Sequence, residues 1–555
     1  MSHAAPSQAE GQGPGLKTVV GASAAGTAFE WYDFFIFGSL TTIIARHFYA
    51  DVGEATSYIL ALLTFGVGFV VRPLGALVFG WFGDKTGRKT TFLVTITLMG
   101  VATVAIGLLP DYDQIGILAP ILLIFLRILQ GFALGGEYSG AAIYVAEHAP
   151  QKKRGYLTGW IQTTAAIGLI MALSVILITR AIMGVEAFDA WGWRIPFLLS
   201  FFLLVISLWI RLKLHESPAF KRMVADSTER QAPFRESFAT WKVGKYVVIA
   251  LVGIMFAQGA VWYAGYFYTR FFMERVLKIE VSTVDGLILA ITVASAVLYI
   301  FFGWLSDRVG RKPVMIGGMI LFLISVFPGF HALTSAANPA LAQAQATAPV
   351  TVVADPATCA VQFDPVGKTA FASSCDLAKN VLSNAGVSYD NTAAPAGTLA
   401  QVRVGSVSVP SIEGAGLEPA ALKAARTDVE ARVKAALNEA GYPARADPAR
   451  INLLAVFGIL MVFMVAATAV YGPQAAALVE LFPTRVRYTA MSLPYNVGTG
   501  WVGGLLPAAS FALVAWSGNI YFGLWYAVGF TAVSALVALL FLPETRGRDL
   551  NTIGD

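Results

Sequence analysis

Charged residues are scarce in this sequence. Of its 555 residues, 39 are Lys or Arg and 34 are Asp or Glu, so the charged fraction is 13% while the hydrophobic fraction is 56%. Globular domains usually contain about 25% charged residues, and a single core cannot bury so much apolar surface. The composition therefore excludes an ordinary soluble protein. The formal net charge of +5 needs no nucleic-acid partner, because the basic residues cluster in short connections between apolar stretches.

Residues that usually carry catalysis are also few. The chain has two cysteines and five histidines, and the histidines lie in the tails or near the ends of apolar stretches. It contains no phosphate-binding G-x-x-x-x-G-K-[ST] pattern, no cluster of metal-ligand residues and no catalytic triad. These absences exclude ATP as the energy source and predict a protein that is not an enzyme and needs neither a metal nor a cofactor.

Twelve apolar stretches account for most of the chain. A helix needs about 20 residues to cross a bilayer, and the first stretch has 28 residues between Lys17 and Arg46, too many for the core of a cleaved signal peptide. The predicted helices lie at 18–45, 57–82, 90–110, 115–146, 156–180, 194–212, 246–272, 283–306, 313–334, 451–481, 486–516 and 519–542.

Basic residues are concentrated in the connections that follow even-numbered helices, which predicts that these connections and both termini are cytoplasmic. The sequence thus predicts an all-α, multi-pass protein of a bacterial inner membrane. Its predicted parts are a tail (1–17), a six-helix bundle (18–212), a cytoplasmic loop (213–245), a second six-helix bundle (246–334 and 450–542), a periplasmic insert (335–449) and a second tail (543–555).

The predicted insert is polar and contains the only cysteines, Cys359 and Cys375. Two thiols in an oxidising compartment favour a disulfide, with two unpaired cysteines as the alternative. Residues 419–440 have the pattern of an amphipathic helix. The rest of the insert shows weak strand or loop character and predicts no particular fold.

Two pairs of matching segments reveal an internal repeat. GWFGDKTGRK (80–89) and GWLSDRVGRK (303–312) are identical at six positions and lie 223 residues apart, whereas AEHAPQKKRG (146–155) and VELFPTRVRY (479–488) share a Glu, a Pro and an Arg at an offset of 333. The two offsets differ by 110 residues, close to the length of the insert. The halves are therefore copies with the same orientation, an arrangement that secondary transporters use with the substrate site between the halves.

The repeated charged segments are predicted to form a latch at the cytoplasmic ends of the helices. Their glycines permit tight turns, and their aspartates can pair with helix N-termini or with basic residues. Glu147 is expected to pair with Arg88 or Lys89, and Glu480 with Arg311 or Lys312. The alternative is that these loops only fix the topology. The remaining predicted latch residues are Gly80, Asp84, Gly87, Gly303, Asp307 and Gly310.

Several segments resemble the metabolite:proton symporter branch of the major facilitator superfamily. They include EWYDFF (30–35), RPLGALVFGWFGD (72–84), RILQGFALGGEYSGA (127–141) and ELFPTRVRYTAMSLPYN (480–496), and the resemblance covers all twelve helices. It implies two parallel six-helix repeats, proton-driven alternating access without a cofactor, and a monomer. Members of this branch transport shikimate, 2-oxoglutarate, citrate or proline and betaine.

Ionisable residues within the bilayer are costly and therefore mark functional positions. Glu30 and Asp33 share one face of the first helix, and Arg72 lies at a comparable depth, so an ion pair between these helices is expected, either working or permanent. Arg127, Gln130 and Glu137 lie within about 80° on the fourth helix. The resemblance links Arg127 to proton coupling; a carboxylate anchor and a purely structural bridge are the other interpretations.

Softer candidates for substrate contact lie in the second half, where aromatic and amide side chains occur at membrane depth. Packing is the alternative role for each of them. They are Gln258, Tyr263, Tyr266, Arg270, Tyr471, Gln474, Tyr495 and Asn496.

The function expected from these features is proton-coupled import of a small organic acid, such as shikimate or a di- or tricarboxylate. The alternatives are symport of proline or betaine as a compatible solute and, in another class, a nutrient sensor derived from a transporter. The expected partners are a small-molecule substrate, a proton and the lipid bilayer.

Overall fold

The computed structural model describes residues 16–50, 54–86, 88–136, 138–212, 240–360, 371–484 and 486–550. Within these residues the chain is mainly helical, with one small sheet. Two predicted site residues, Gly87 and Glu137, lie outside the described residues, as do the side chains of Asp84, Arg88 and Lys89.

The first half consists of helices that match the first six predicted spans, some of them broken into two pieces. Its helices are α1 (Leu16–Ser39), α2 (Thr41–Phe48), α3 (Glu54–Val70), α4 (Arg72–Thr86), α5 (Arg88–Leu108), α6 (Tyr112–Ile115), α7 (Leu118–Leu134), α8 (Tyr138–His148), α9 (Arg154–Met183), α10 (Val185–Ala187) and α11 (Arg194–Leu212).

The second half contains the other six spans and the insert between the third and fourth of them. The helices are α12 (Trp241–Val276), α13 (Val281–Val309), α14 (Arg311–Ala337), α15 (Pro339–Thr347), α16 (Ser374–Ala385), α17 (Pro419–Glu439), α18 (Leu453–Tyr471), α19 (Gln474–Leu481), α20 (Arg487–Ser517) and α21 (Leu524–Phe541). Several π-helical turns widen α12 and α20 without interrupting them.

Most of these helices can cross a membrane. Among the described residues, nine are long and apolar enough, and the bent pair Val185–Gly192 and Arg194–Trp209 makes a tenth if it counts as one span. The shorter apolar helix Leu93–Leu108 and α1 complete the twelve predicted positions. The twelve-helix architecture is confirmed.

The two halves meet along two equivalent pairs of helices. α9 of the first half packs along α13 of the second, and α4 packs along α20. The first pair consists of the fifth and eighth of the twelve spans, and the second pair consists of the second and eleventh. The end of the bundle at which α13 turns into α14, near residue 310, is called the repeat side, and the opposite end, where the insert begins, is called the insert side.

The insert folds as a small α/β unit. Its sheet has the order β2 (Asp390–Ala393), β1 (Val350–Ala354), β3 (Gln401–Val404) and β4 (Val407–Pro410). β1 is parallel to β2 and antiparallel to β3, and α16 and α17 pack against the sheet. α17 confirms the amphipathic helix predicted at 419–440, and Cys359 and Cys375 form the predicted disulfide.

The insert is attached to connections of the second half. The Tyr389 N–H donates to the Gly518 carbonyl oxygen (2.9 Å), between α20 and α21, and the Ala446 N–H donates to the Lys278 carbonyl oxygen (3.1 Å), between α12 and α13. Among the described residues, the hydrogen bonds that leave the insert all end on second-half residues. The insert is thus part of the second half mechanically as well as in sequence.

Candidate functional site

Glu480 is the centre of an ion cluster on the repeat side. Its side chain is 0% exposed and accepts hydrogen bonds from Arg154 Nη1 (2.8 Å), Arg311 Nη2 (3.2 Å) and Thr545 Oγ1 (2.8 Å). The predicted contact between Glu480 and Arg311 is present. Lys312 instead donates from Nζ to the Leu539 carbonyl oxygen.

Asp307, the acidic residue of the second repeated segment, joins the two halves directly. Its two carboxylate oxygens accept the backbone N–H groups of Gly155 (2.9 Å) and Tyr156 (2.8 Å) in the first turn of α9, and Oδ1 also accepts from Arg311 Nη1 (2.7 Å). A carboxylate at a helix N-terminus satisfies N–H groups that have no partner within the helix. The predicted pairing of this aspartate with a helix N-terminus and a basic residue is therefore present.

A second ion pair repeats the arrangement with the halves exchanged. Glu147 Oε1 accepts from Arg487 Nη1 at 3.1 Å. Glu147 and Glu480 are 333 residues apart, and so are Arg154 and Arg487. Each half therefore supplies a glutamate to the arginine of the other half.

Arg154 and Arg487 were missing from the predicted site. The signal that could have found them is the Arg shared by the two segments that repeat at an offset of 333 residues. The partners predicted for Glu147, Arg88 and Lys89, have side chains outside the described residues.

Glycines allow the halves to approach closely at this end. A Cβ atom added to Gly303 would overlap the carbonyl oxygen of Gly155, and one added to Gly155 would overlap that of Gly303. Gly80, in the first repeated segment, lies beneath Tyr488, with 3.7 Å between its Cβ position and the ring. Gly310 adopts φ +114° in the turn between α13 and α14, a conformation that favours glycine.

Arg72, the first residue of α4, lies between the halves with its side chain 0% exposed. Its Nε, Nη1 and Nη2 atoms have no hydrogen-bond partner within the described residues. The guanidinium carbon lies over the rings of Phe69 (5.3 Å to the centroid), Trp31 (5.6 Å) and Tyr495 (6.0 Å). The structure thus places a buried cation among aromatic faces from both halves.

The ion pair predicted between Arg72 and Glu30 or Asp33 is wrong. Counting residues gives the depth of a side chain but not its direction around the helix axis, and the guanidinium lies among the rings instead. Glu30 and Asp33 are both buried in α1, and Asp33 Oδ1 has no hydrogen-bond partner in the described part of the chain.

The guanidinium of Arg127 is also buried, but it is hydrogen-bonded to neighbouring residues of the first half. Nη1 donates to Gln130 Oε1 (2.8 Å), Nη2 donates to the Phe65 carbonyl oxygen (3.1 Å), and Gln130 Nε2 donates to Thr103 Oγ1 (2.7 Å). Phe37 and Phe34 lie against its faces at 4.3 and 4.5 Å. The predicted shared face of Arg127 and Gln130 is present.

Buried polar atoms without partners continue from Arg72 into the second half. The Tyr263 hydroxyl, both polar atoms of the Gln474 amide, Gln258 Oε1 and Asn496 Oδ1 lack a hydrogen-bond partner among the described residues. Phe69 connects the two groups, because its ring is also 5.3 Å from that of Tyr263. Most buried polar groups in proteins are paired, so the unpaired atoms of Arg72 and Tyr263, on either side of Phe69, mark a candidate place for a polar ligand.

Other predicted aromatic residues are already bonded. Tyr266 Oη lies 3.0 Å from Ser295 Oγ, and the hydroxyls of Tyr471 and Tyr495 are 3.4 Å apart. Tyr495 also stacks on Tyr138 of the first half, with 3.7 Å between ring centroids. Of these contacts, the stack of Tyr138 on Tyr495 joins the two halves, whereas the other two lie within the second half.

Arg270 closes the opposite end. It binds Asp285 (2.8 Å) and Glu274 (3.1 Å), and its Nη2 donates to the Ser39 carbonyl oxygen at the end of α1 (3.1 Å). Thr42 of the first half donates to Glu274 at 2.6 Å. Arg270 was expected to contact substrate, but in this conformation its charge is matched by carboxylates and it ties the two halves together on the insert side.

An aromatic layer that sequence reasoning missed lies between Arg270 and Arg72. Phe35 of the first half stacks on Trp262 of the second at 5.7 Å, and Trp262 Nε1 donates to the Tyr299 hydroxyl at 2.8 Å. Aromatic residues are common in every span, so composition gave no signal for these three. Among the described residues, contacts between the halves are therefore present on both the repeat side and the insert side.

Comparison with known proteins places this geometry in a family. A family model described as "Sugar (and other) transporter" matches residues 18–240 and 436–555. The chain belongs to this family. The family is part of the major facilitator superfamily, whose members are transporters. They are not enzymes and need no cofactor, as the sequence predicted. Among the described residues, no group of three His, Cys, Asp or Glu side chains is arranged to hold a metal ion.

Curated relatives carry more specific names. The glycine betaine/proline/ectoine/pipecolic acid transporter OusA of Dickeya dadantii is 36% identical over 334 residues, covering 58% of this chain and 65% of that protein. The proline/betaine transporter of Escherichia coli K12 is 35% identical, with coverage of 58% and 65%. A putative proline/betaine transporter of Staphylococcus aureus is 39% identical, with coverage of 57% and 68%. The chain thus spans just under two thirds of the length of the first two relatives.

Solved structures agree on the fold of this family member. The proton:xylose symporter XylE of the major facilitator superfamily, bound to 6-bromo-6-deoxy-D-glucose, matches with a TM-score of 0.58 at 16% identity, covering 97% of this chain and 98% of that one. A second D-xylose–proton symporter structure also matches with a TM-score of 0.58. The chain is therefore a multi-pass membrane protein with the fold of a major facilitator.

Proposed function

We propose that this protein is a proton-coupled symporter that imports a small zwitterionic solute of the proline or betaine type by alternating access. Relatives named as proline/betaine transporters favour this alternative over the organic acid that was expected first. In the proposed orientation the repeat side and both termini face the cytoplasm, and the insert faces the periplasm. A single chain contains both moving halves, so the proposed unit is a monomer in the bilayer.

Arg72 is the observation that supports this proposal best. A buried guanidinium without hydrogen-bond partners is costly, and a carboxylate is the ligand that would bind it with two parallel hydrogen bonds. Tyr263, whose ring contacts that of Phe69, supplies a further unpaired hydroxyl. A ligand carboxylate at Arg72 would therefore offset the cost of burying its unpaired guanidinium.

The aromatic surroundings suit the other end of a zwitterion. Trp31, Phe69 and Tyr495 surround Arg72 at ring distances of 5.3–6.0 Å. Ring faces attract cations, and quaternary ammonium ligands are commonly bound by several aromatic side chains. A molecule that carries a carboxylate and a cationic nitrogen within a few bonds can use the guanidinium and the rings together.

A di- or tricarboxylate fits less well. Arg127 already donates to Gln130 and to a backbone carbonyl, which leaves one unbonded guanidinium for the substrate. Glu30 and Asp33 are buried in the same half, so every additional negative charge on the substrate would be repelled. The electrostatic balance favours a substrate with one carboxylate and no net charge.

Asp33 is the proposed proton carrier. It is buried in α1, and its Oδ1 has no hydrogen-bond partner among the described residues. Protonation would neutralise the carboxylate and lower the cost of moving the loaded site through the low-dielectric interior. Glu30 and Glu137 remain alternative carriers.

The test is uptake by proteoliposomes of radiolabelled glycine betaine, proline, shikimate and 2-oxoglutarate, each with and without an inward proton gradient. We expect the gradient to drive accumulation of betaine or proline. Arg72→Gln should abolish uptake, whereas Arg450→Gln, at an exposed arginine on the insert side, should leave it unchanged.

Folding of the Arg72 variant is checked by its thermal midpoint. Because the substitution removes an unpaired buried charge, we expect the midpoint to stay the same or rise. Accumulation of an organic acid but not of betaine or proline, or normal uptake by the Arg72→Gln protein, would overturn the proposal. A folded protein that moves none of the four solutes would support the sensor alternative.

A further inference from the structure

A cavity of about 160 Å³ lies between the halves on the insert side. Its first-half wall includes Arg46 and Arg180, and its second-half wall includes Glu280 and Asp285. The contact of Arg270 with the Ser39 carbonyl forms its floor and, together with the aromatic layer of Phe35 and Trp262, separates it from Arg72. The cavity is therefore distinct from the central site.

The charges around this cavity are balanced. Its lining contains three basic residues and three acidic ones: Arg46, Arg180, Arg270, Asp189, Glu280 and Asp285. Because the charges of the lining cancel, the cavity exerts no net attraction or repulsion on a molecule whose net charge is zero. Its separate basic and acidic groups can still bind the two opposite charges of a zwitterion. A dianion or a dication would meet unfavourable charge on one wall.

Two guanidiniums converge on one carboxylate in the first-half wall. Arg46 Nη1 and Arg180 Nη2 reach the two oxygens of Asp189 at 3.3 and 3.4 Å. Arg180 is 13% exposed and its Nε has no hydrogen-bond partner among the described residues, while Arg46 is 66% exposed. The contacts of Arg46 and Arg180 with Asp189 are long, and the largely exposed guanidinium of Arg46 has donors left for a second carboxylate.

The opposite wall can accept the cationic end. Glu280 lies in this wall directly before α13 and supplies a carboxylate with no ion-pair partner among the described residues, whereas Asp285 in α13 is paired with Arg270 (2.8 Å). Cavities of about 150 Å³ accept a benzene-sized molecule, so a solute with six to eight non-hydrogen atoms suits the space. Its carboxylate would lie at the arginines and its cationic nitrogen would face the acidic wall.

We infer that this cavity is a second, weaker binding site for a small zwitterion, which loads the solute on the insert side before the Arg270 contact opens. The inference rests on the proposed function for the identity of the solute. It adds a site, formed by Arg46, Arg180 and Asp189, at the entrance to the path between the halves.

The experiment is equilibrium binding of radiolabelled glycine betaine to the full-length protein in nanodiscs. We expect two molecules per chain, of which Arg180→Gln loses one by a weakening of more than about tenfold. Arg72→Gln should lose the other and retain the one that depends on Arg180. Arg450→Gln is the matched control and should bind both.

Asp189→Asn gives a result of opposite sign that misfolding cannot produce. Removing the carboxylate that competes for Arg46 and Arg180 should tighten the weaker site several-fold. Equal binding by the wild-type and Arg180→Gln proteins, or unchanged or weaker binding by Asp189→Asn, would overturn the inference. If the wild-type protein binds only the molecule that depends on Arg180, the proposed central site is contradicted instead. Wild-type protein that binds no betaine contradicts both the central site and the second site.

Discussion

Replacement of Glu480 by Gln tests whether the ion cluster on the repeat side holds the halves together. Glu480 is fully buried and accepts hydrogen bonds from Arg154 of the first half and from Arg311 and Thr545 of the second. The glutamine retains one acceptor oxygen but removes the negative charge. Asp307 then remains as the carboxylate partner of Arg311, while Arg154 retains its contacts to the carbonyl oxygens of Ala146 and Arg548.

The size of the effect follows from these contacts. Removing one partner of a buried ion pair costs roughly 3–5 kcal/mol. Because the amide still accepts one hydrogen bond and Asp307 remains, we expect about 2 kcal/mol, which is a factor of about 30 in the ratio of closed to open molecules. If about 1% of wild-type molecules are open on the repeat side, about a quarter of the variant molecules will be open.

Spin labels measure this change directly. Lys153 precedes α9 in the first half and Arg308 lies near the end of α13 in the second; both are exposed on the repeat side. Labels at Lys153→Cys and Arg308→Cys report the distance between the halves by pulsed electron resonance. The native cysteines form a disulfide and are not labelled.

Glu544→Gln is the matched control, because Glu544 accepts the backbone N–H groups of Arg311 and Lys312 within the second half. This variant should keep the wild-type distance distribution. If the Glu480→Gln protein shows the same distribution as well, the cluster does not hold the halves together and the predicted latch is only a determinant of topology.

Three further changes have defined outcomes. Gly303→Ala would press a methyl group against the Gly155 carbonyl oxygen, so the same spin labels should show a larger open population although no charge is lost. Replacing Cys359 and Cys375 by Ser should destabilise the insert by roughly 3 kcal/mol, the chain-entropy value for a loop of this length, and make it protease-sensitive while uptake continues. Two backbone N–H groups lower the pKa of the Asp355 carboxyl, which stabilises the insert above the ordinary pKa and less as the pH falls below it; Asp355→Asn should therefore lower the insert's thermal midpoint at pH 7, and the difference from the wild type should shrink as the pH falls below the ordinary carboxyl pKa.

The sequence predicted the repeat-side contacts because they depend on an internal comparison. The two offsets align Glu147 with Glu480 and the two charged decapeptides with each other, and the contact between Glu480 and Arg311 is present. The exchange of partners between halves was missed, since a repeat shows which residues are equivalent but not which of the two copies each one touches. Arg154 and Arg487 match each other in the 333-residue echo, but their partners could be assigned only from the packing of the halves.

The central site was harder to predict. Arg72, Arg127 and Asp33 were found because charged residues stand out in apolar helices. The expected ion pair of Arg72 was wrong because a count of residues gives the depth of a side chain but not the direction in which it points. Phe35 and Trp262 were missed, since one aromatic residue in a membrane helix resembles another until the helices are packed.

The fold of the insert could not be predicted beyond α17. Its strands have only four or five residues, and β1 pairs with β3 across about 50 intervening residues. Short strands with distant partners leave little local pattern. The amphipathic helix was predictable because its apolar residues recur over 21 residues.

The two ends of the insert meet at a single backbone hydrogen bond, in which the Asn452 N–H donates to the Ala336 carbonyl oxygen at 2.9 Å. A chain that leaves and returns at neighbouring points can be cut there and rejoined by a few residues without separating α14 from α18. The position is therefore a natural junction for protein engineering. Fluorescent or affinity modules exchanged for the insert would be carried on one half alone and would report how that half moves.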